Sequence, residues 1–308
     1  MLIFPKTNYN SSCMGKTTTG LIRLTRHQDY TVMVTITTLL GFLVSGIHLN
    51  INLIPRMLIV LLANQLSVAF AFMINDVVDA HDDATDKLKA LRNPVSAGLI
   101  TANFAYFASF STALISVFIF YSLGPIPFLL GIFDLILSAF YSLKFIRLKS
   151  IPVLDLVSHG LMLGGLQMLC AYFTLMPYLG FDLNWFLPFL FIVAISFRGQ
   201  LFNQVKDFTC DQTAGINNTT EIVGVSTAHL LMSALLVMSG LIFIYCLIVN
   251  IIPLWVFLLM LLMGIVFLKD PLTKLRGRKG LEKTEHFHIP MLIIGSISLI
   301  LWTISRFF

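Results

Sequence analysis

Aspartate residues occur in two clusters whose spacing favours metal binding. The first cluster is formed by Asp76, Asp79 and Asp83, and the second by Asp207 and Asp211. Residues three or four positions apart lie on one face of a helix, so the carboxylates of each cluster can converge. Such a face suits hard divalent cations, and Mg²⁺ usually joins a few carboxylates to a phosphate-bearing substrate. We interpret these five aspartates as Mg²⁺ ligands and as catalytic residues.

Asparagines and further acids support this interpretation. Asn75 directly precedes the first cluster at the end of an apolar stretch, and Asn203 lies one turn before Asp207. Five of the 15 acidic residues fall between positions 76 and 86. So many like charges repel one another, and a bound cation relieves that repulsion. A merely solvated acidic loop is the alternative, but the repeated Asn and Asp arrangement favours a metal site.

The composition indicates that membrane-spanning helices must position these residues. The chain is 57% hydrophobic and 11% charged, with a mean hydropathy of +0.88, whereas soluble proteins carry about 25% charged residues. Continuous apolar stretches of about 20 residues, long enough to cross hydrocarbon as helices, occur about nine times. They fall near residues 30–48, 57–74, 102–121, 126–143, 153–176, 184–203, 228–249, 252–268 and 289–306.

We therefore expect an all-α membrane protein. Its main domain is predicted at residues 30–308, as a bundle of about nine transmembrane helices. Residues 1–29 are expected to form a cytoplasmic N-terminal segment. This segment lacks the order of charged, apolar and small residues that marks a cleaved signal peptide, so none is predicted.

Positive residues are confined almost entirely to one face of this predicted bundle. Of the 20 Lys and Arg residues, all but Arg56 and Arg306 fall on the face that also carries both aspartate clusters. Cytoplasmic loops of membrane proteins show this excess of positive charge. An integral, multi-pass protein with a cytoplasmic-face active site and membrane lipid around it is expected. The net charge of +5 reflects the same bias and indicates no nucleic-acid partner.

The substrate must suit both an acidic metal site and an apolar interior. Two Mg²⁺-binding clusters can bracket a diphosphate, while the apolar bundle accommodates a long hydrocarbon tail. A polyprenyl diphosphate satisfies both requirements. Its loss of pyrophosphate creates an allylic cation, which has to be shielded from water and stabilised by aromatic faces or buried dipoles.

Three sequence motifs resemble those of the UbiA superfamily of intramembrane prenyltransferases. The motif NDxxDxxxD is intact at residues 75–83, and DxxxD is intact at residues 207–211. The stretch 141–149, which begins with Tyr141, is similar to the basic stretch of members that act on chlorophyllide, homogentisate or dihydroxynaphthoate. Together with the helix count, the resemblance covers nearly the whole chain.

The resemblance implies that the aspartates bind a diphosphate through Mg²⁺ and that Arg147 and Lys149 ion-pair with it. A basic loop beside carboxylate-bound metals suits phosphate oxygens on grounds of charge as well. Lys206, next to Asp207, and Arg198, inside the sixth span, are further candidates, with a purely topological role as the alternative for each cation. The candidate substrate-binding residues are Asn75, Tyr141, Arg147, Lys149, Arg198, Asn203 and Lys206.

The chain departs from the family pattern at two places that bear on the acceptor. The sequence 217–219 replaces the usual basic residue and threonine after Gly215, and Asn93 interrupts the usual arginine-proline pair. The stretch 151–156 is similar to members with non-aromatic acceptors, such as carotenoid ends or ribose phosphates. The metal ligands are unaffected by these departures, whereas acceptor identity stays open.

Two polar residues inside the predicted spans have alternative interpretations. Asp134 lies in the middle of the fourth span, where an ionisable side chain is costly and often functional. It either joins two helices through hydrogen bonds or serves as an acceptor base or cation-stabilising carboxylate. His159, near the cytoplasmic end of the fifth span, is interpreted as a hydrogen-bonded residue of the bundle.

The function predicted from these observations is Mg²⁺-dependent prenyl transfer. The enzyme moves a prenyl group from a prenyl diphosphate to a lipophilic acceptor, with an aromatic compound favoured, and releases pyrophosphate. The alternative on the same scaffold is a membrane terpene cyclase, which needs no second substrate. An ion-coupled transporter is disfavoured because its acids should lie near the midplane, whereas nearly all acids here lie at one face.

Overall fold

The computed structural model describes residues 15–213, 215–268 and 281–308, with side chains from 289 onward in the last range. Throughout these ranges the regular secondary structure is helical. The helices are α1 (Lys16–Thr25), α2 (His27–Val44), α3 (Ile54–Asp83), α4 (Lys87–Arg92), α5 (Ala102–Leu123), α6 (Pro125–Ser142), α7 (Leu154–Gly160), α8 (Leu166–Leu175), α9 (Leu183–Thr213), α10 (Thr219–Ile248), α11 (Leu254–Phe267) and α12 (Leu281–Ser305). The expectation of an all-α protein is confirmed over the described ranges.

Each apolar stretch predicted as a span coincides over most of its length with helical segments of the described ranges. Six of these helical segments are long and apolar enough to cross a membrane: Ile51–Asp83, Ala102–Leu123, Pro125–Ser142, Leu154–Leu175, Leu183–Thr209 and Thr219–Ile248. The helices Leu254–Phe267 and Ile289–Ser305 are apolar but shorter. The structure therefore supports a multi-pass membrane protein, while the count of nine spans stays a prediction.

The helices α3 and α9 are longer than a bilayer requires. They contain 30 and 31 residues, which correspond to about 45 Å at a rise of 1.5 Å per residue, whereas hydrocarbon is about 30 Å thick. The extra turns are polar and contain the two aspartate motifs. Each motif is thus carried at the end of a rigid helix rather than in a loop.

The span formed by α7 and α8 is interrupted in the middle and packs closely against α9. A π-helical turn, Leu161–Gly165, separates α7 from α8, and such turns are frequent at functional sites. A Cβ atom on Gly164 would lie 2.7 Å from Ile192, and one on Gly165 would lie 2.6 Å from Phe189. Small residues therefore allow this segment to approach α9 closely, as is common between transmembrane helices.

A buried polar network joins the helices behind the aspartate motifs. The Asp134 carboxylate accepts hydrogen bonds from Ser67 Oγ at 2.5 Å and from Gln167 Nε2 at 3.2 Å. Asn64 donates to Thr38 Oγ1 at 2.9 Å and to the backbone oxygen of Gln167. Asp134 thereby connects α3, α6 and α8, which supports the helix-joining interpretation of this residue.

Candidate active site

A cavity of about 2600 Å³ is lined by residues of every described helix except α5 and α8. Its lining is polar at the end where α3 and α9 carry their motifs and apolar beyond it. The predicted site residues in the lining are Asn75, Asp79, Asp83, Tyr141, Arg147, Lys149, Arg198, Asn203, Lys206, Asp207 and Asp211. The structure therefore brings together nearly every residue that the sequence singled out, from segments far apart in the chain.

The basic stretch 141–149 contacts the first aspartate motif directly. Lys149 forms an ion pair with Asp79 and donates to Asn75 Oδ1 at 3.0 Å. Arg147 lies 3.5 Å from Asp79 and 3.1 Å from Asp82. These cations and carboxylates occupy the same rim of the cavity, so phosphate oxygens entering there would meet both the metal motif and positive charge.

Arg147 adopts a backbone conformation that non-glycine residues use rarely. Its φ of 51° lies in the left-handed region, directly before the short 3₁₀ turn Leu148–Ser150. Such conformations persist where surrounding contacts enforce them, and they cluster at ligand-binding sites. Here the conformation accompanies the placement of Arg147 and Lys149 against one motif.

Asp76 lies behind the cavity wall rather than in its described lining. Its side chain is fully buried and accepts a hydrogen bond from Arg26 Nη1 at 3.1 Å. Arg26 also pairs with Asp29 at 2.7 Å and lies 4.7 Å from the centre of the Phe72 ring. Burial disfavours the charged form of Arg26, but Asp76 and then Asp29 outweigh burial and raise its pKa. Asp76 stays a predicted metal ligand, now with an arginine partner that sequence reasoning missed.

Asp83 is oriented by a residue from the segment that follows its helix. The Asn93 amide donates to Asp83 Oδ2 at 2.9 Å and to the backbone oxygen of Asp76 at 2.7 Å. Asn93 itself is completely buried. Asn93 therefore fixes the orientation of a motif carboxylate.

The second motif has a corresponding partner at the start of α10. Asn218 Nδ2 donates to Asp211 Oδ2 at 2.9 Å, and Asn218 Oδ1 caps α10 by accepting from Glu221 N at 3.0 Å. Burial and then the neighbouring charge of Asp207 raise the pKa of Asp211 to about 6. The exposed Asp207 and the half-buried Asp211 thus form a pair of interacting carboxylates that face the cavity.

The remaining predicted residues lie deeper or at the edge of the same cavity. The Tyr141 hydroxyl accepts from Gln200 Nε2 at 3.0 Å, which joins α6 to α9. His159 Nδ1 lies 3.1 Å from Ser196 Oγ, as expected for a hydrogen-bonded residue of the bundle. Arg198 forms no ion pair in the described ranges, and its buried Nε has no hydrogen-bond partner there. Lys206 is exposed at the rim.

Asp155, in the stretch 151–156, is a structural connection. It is fully buried and accepts from Gln204 Nε2 and from the backbone nitrogen of Thr219, both at 2.6 Å. Gln204 in turn accepts from Thr220 N at 3.1 Å. This network ties α7 to the ends of α9 and α10 and so holds the second motif in place. Sequence reasoning missed the pairing because its partners are about fifty residues or more apart.

The donor set fits Mg²⁺ shared with a phosphate ligand. Within the described ranges, no three carboxylate, imidazole or thiol side chains form a compact ligand group. Mg²⁺ often binds through only one or two carboxylates and completes its shell with water and phosphate oxygens. Asp79 Oδ1 is buried and accepts no hydrogen bond, and Asp207 and Asp211 repel each other. The carboxylates of the second motif therefore carry charge that a cation would balance, whereas Asp79 would exchange part of its pairing with Lys149 and Arg147 for the metal.

Comparison with known proteins identifies the fold. A UbiA homologue from Archaeoglobus fulgidus, in a structure bound to GPP and Mg²⁺, matches with a TM-score of 0.71 and 18% identity, over 93% of this chain and 99% of that one. An apo UbiA homologue from Aeropyrum pernix K1 matches with a TM-score of 0.68 and 14% identity, over 88% and 97%. At such identities the likeness shows a shared fold.

A third structure, described as digeranylgeranylglyceryl phosphate synthase, matches with a TM-score of 0.66 and 15% identity, over 94% of this chain and 99% of that one. No curated protein sequence matches this chain. The model of the UbiA prenyltransferase family matches residues 34–294, which include both aspartate motifs and the basic stretch. The chain therefore belongs to the UbiA prenyltransferase family.

Proposed function

We propose that this protein is a Mg²⁺-dependent intramembrane enzyme that transfers a prenyl group from a prenyl diphosphate to a lipophilic acceptor, with an aromatic acceptor favoured. One observation carries the proposal: both acidic motifs and the basic stretch line one end of a cavity whose other end is apolar. A diphosphate suits the first end and a hydrocarbon tail the second. The fold relatives from Archaeoglobus fulgidus bind GPP or DMAPP together with Mg²⁺, which supports the assignment.

Asp79, Asp83, Asp207 and Asp211 are the residues of the lining that would hold Mg²⁺, with Asp76 as the further motif aspartate behind the wall. When bound, Mg²⁺ neutralises the diphosphate and so makes pyrophosphate a better leaving group. Asn93 and Asn218 orient two of these carboxylates through their side-chain amides. Such supporting contacts commonly tune metal affinity.

The basic residues have a distinct role in the proposed reaction. Arg147 and Lys149 bind phosphate oxygens through charge-assisted hydrogen bonds, exchanging part of their contact with Asp79 and Asp82 for the substrate. Asn75, Asn203 and Lys206 complete the polar rim, and Arg198 stands deeper. The cations thus retain the pyrophosphate at the rim while the tail lies in the apolar part.

The chemical step is an alkyl transfer from oxygen to the acceptor. The bond between the first prenyl carbon and the diphosphate oxygen breaks, and its electron pair leaves with pyrophosphate. The acceptor supplies the electron pair of the new bond and loses a proton. The apolar lining excludes water from the allylic cation, so transfer competes successfully with hydrolysis to the alcohol.

The location of the protein is part of the proposal. Residues 30–308 form the catalytic domain, and the motif-bearing end of the bundle faces the cytoplasm together with the segment 1–29. The excess of Lys and Arg at this end of the bundle supports the orientation, because cytoplasmic loops of membrane proteins are enriched in positive residues. Of the segment 1–29, residues 1–14 lie outside the described ranges.

Mass spectrometry with and without acceptors tests the proposal. Purified protein receives Mg²⁺ and prenyl diphosphates of several lengths, first alone and then with candidate lipophilic acceptors such as phenols or naphthols. We expect slow formation of alcohol without an acceptor and fast formation of a prenylated product with one. Rapid, stoichiometric formation of a cyclic terpene from the diphosphate alone would instead establish a terpene cyclase. The Asp79→Asn variant serves as the inactive control.

A further inference from the structure

The cavity extends far beyond the space that a diphosphate and a short tail require. Its lining follows α9 from Asp207 at the rim to Pro188 near the opposite end of the helix. These residues are 19 positions apart, which corresponds to about 28 Å at a rise of 1.5 Å per residue. The cavity therefore crosses most of the thickness of the hydrocarbon layer.

Packed apolar side chains from three helices and a loop line the far end of the cavity. Trp302 of α12 packs there with Cys246 of α10, Val256 of α11 and Ile252 of the connection between them. All four side chains are more than nine-tenths buried. We call this group the floor of the cavity.

Between the level of Arg198 and His159 and the floor, the described residues of the lining include no charged side chain. Phe191, Ile195, Phe243, Met260 and Leu299 are typical of its surface. A hydrocarbon tail can occupy this length without leaving a charged group unpaired. The dimensions of the apolar part then set the tail that fits best.

We propose that this chain selects long prenyl diphosphates, with tails of about five isoprene units, and that Trp302 sets the upper limit. An isoprene unit contributes four bonds along the chain, so it extends by about 5 Å. A tail of five units then spans about 25 Å, close to the length of about 28 Å over which α9 lines the cavity, whereas a geranyl tail of two units spans about 10 Å. The inference rests on the proposed function, because it assumes that the diphosphate binds at the aspartate motifs.

Gly295 of α12 keeps the lower part of the cavity open. It belongs to the lining, and a Cβ atom built on it meets no other atom within 4 Å. Gly295 lies seven residues before Trp302, which corresponds to about 10 Å above the floor. A geranyl tail ends above this level, whereas a tail of five units passes it. Substituting Gly295 with a large residue should therefore exclude long tails selectively.

Binding across a series of chain lengths tests the inference. All-trans prenyl diphosphates with two to eight isoprene units displace radiolabelled geranyl diphosphate from protein in phospholipid nanodiscs with Mg²⁺. For each tail length, the affinity of a variant for the prenyl diphosphate is divided by the affinity of the unsubstituted protein for the same compound. This ratio cancels the partition of the tail into lipid, which long tails favour whether or not the protein selects them.

Gly295→Phe is expected to reduce this ratio about tenfold for tails of five and six units relative to its value for the geranyl tail, because a ring then fills space that the tail needs. Gly240→Phe is the matched control. Gly240 is exposed on α10, outside the cavity lining, with the same open space around its Cβ position. The affinity ratio of Gly240→Phe should not vary with tail length. Trp302→Ala should raise the ratio for seven and eight units above that for five.

A length-independent ratio for Gly295→Phe overturns the inference, since the tail then leaves the cavity before reaching Gly295. If this variant does not fold, Gly295→Leu replaces it and the same criterion applies. Failure of the unsubstituted protein to bind any prenyl diphosphate in a Mg²⁺-dependent manner is a different result. It contradicts the proposed function itself and is therefore distinguishable from the loss of length selection alone.

Discussion

The side-chain amide of Asn93 donates a hydrogen bond of 2.9 Å to the carboxylate of Asp83. Asn218 makes a contact of the same length to Asp211 in the second motif. Both asparagines lie at positions where we expect the chain to depart from the family pattern. Each places a neutral amide donor on one carboxylate of a motif, and a neutral donor orients the carboxylate while leaving its charge for a cation.

Removal of Asn93 is predicted to weaken Mg²⁺ binding. Asn93→Ala should raise the Mg²⁺ concentration for half-maximal activity by about tenfold, a typical effect of losing a hydrogen bond to a metal ligand. A Mg²⁺ titration of the turnover rate measures the shift. Asn103→Ala, at an exposed position on α5, is the control. An unchanged Mg²⁺ requirement in Asn93→Ala would show that Asp83 needs no orientation by this contact.

Loss of a motif carboxylate is predicted to abolish turnover while the fold is retained. Asp79→Asn and Asp207→Asn remove charge at the polar end of the cavity without changing the size of the side chain, so the fold should tolerate both changes. EDTA should inactivate the unsubstituted protein, and added Mg²⁺ should restore it. Asp182→Asn, outside the cavity lining, is the control. Near-normal turnover by both motif variants in metal-free buffer would contradict the metal assignment.

Arg147 is predicted to contribute to prenyl diphosphate binding more than its neighbour Lys144. Both residues belong to the basic stretch, but Lys144 is about half exposed, and its one ion pair among the described residues is with Asp82 at 3.5 Å. Charge-assisted hydrogen bonds are worth about 1.5–3 kcal/mol, so Arg147→Ala should weaken binding by about ten- to a hundredfold. Equilibrium binding of geranyl diphosphate measures both variants. Equal, small losses would assign Arg147 a purely topological role.

The buried pair of Arg26 and Asp76 is predicted to stabilise the fold as a unit. Arg26→Gln removes the guanidinium that is hydrogen-bonded to the buried Asp76 carboxylate, which should cost about 3–5 kcal/mol of unfolding free energy. The double variant with Asp76→Asn should lose less than the two single variants together. Unfolding in detergent measures this coupling. Additive losses would show that the two side chains act independently.

The same variants address the predicted metal role of Asp76. If Asp76 is a ligand, Asp76→Asn raises the Mg²⁺ requirement even when Arg26→Gln restores the charge balance. If it acts only through Arg26, the double variant recovers both stability and Mg²⁺ dependence. The Mg²⁺ titration used for Asn93 distinguishes these results.

The sequence by itself determined where the long apolar helices lie and which residues share a helix face. Apolar runs of about 20 residues predict spans because a continuous apolar helix satisfies its own backbone hydrogen bonds in hydrocarbon. Spacings of three or four residues predict a shared face because a helix turns once in 3.6 residues. Both rules are local. They placed the aspartate motifs at helix ends and the basic stretch on the same side of the bundle, as the structure has them.

Only the tertiary structure decided where each face points and which partner it meets. Arg26 reaches Asp76 across 50 positions, and Lys149 reaches Asp79 across 70. Such pairings depend on how distant helices pack, and the local periodicity of the sequence does not determine that packing. For the same reason Asp76 lies behind the wall while Asp79 faces the cavity, although both belong to one motif. The depth of the cavity and its floor at Trp302 likewise arise from helices that meet only in the folded bundle.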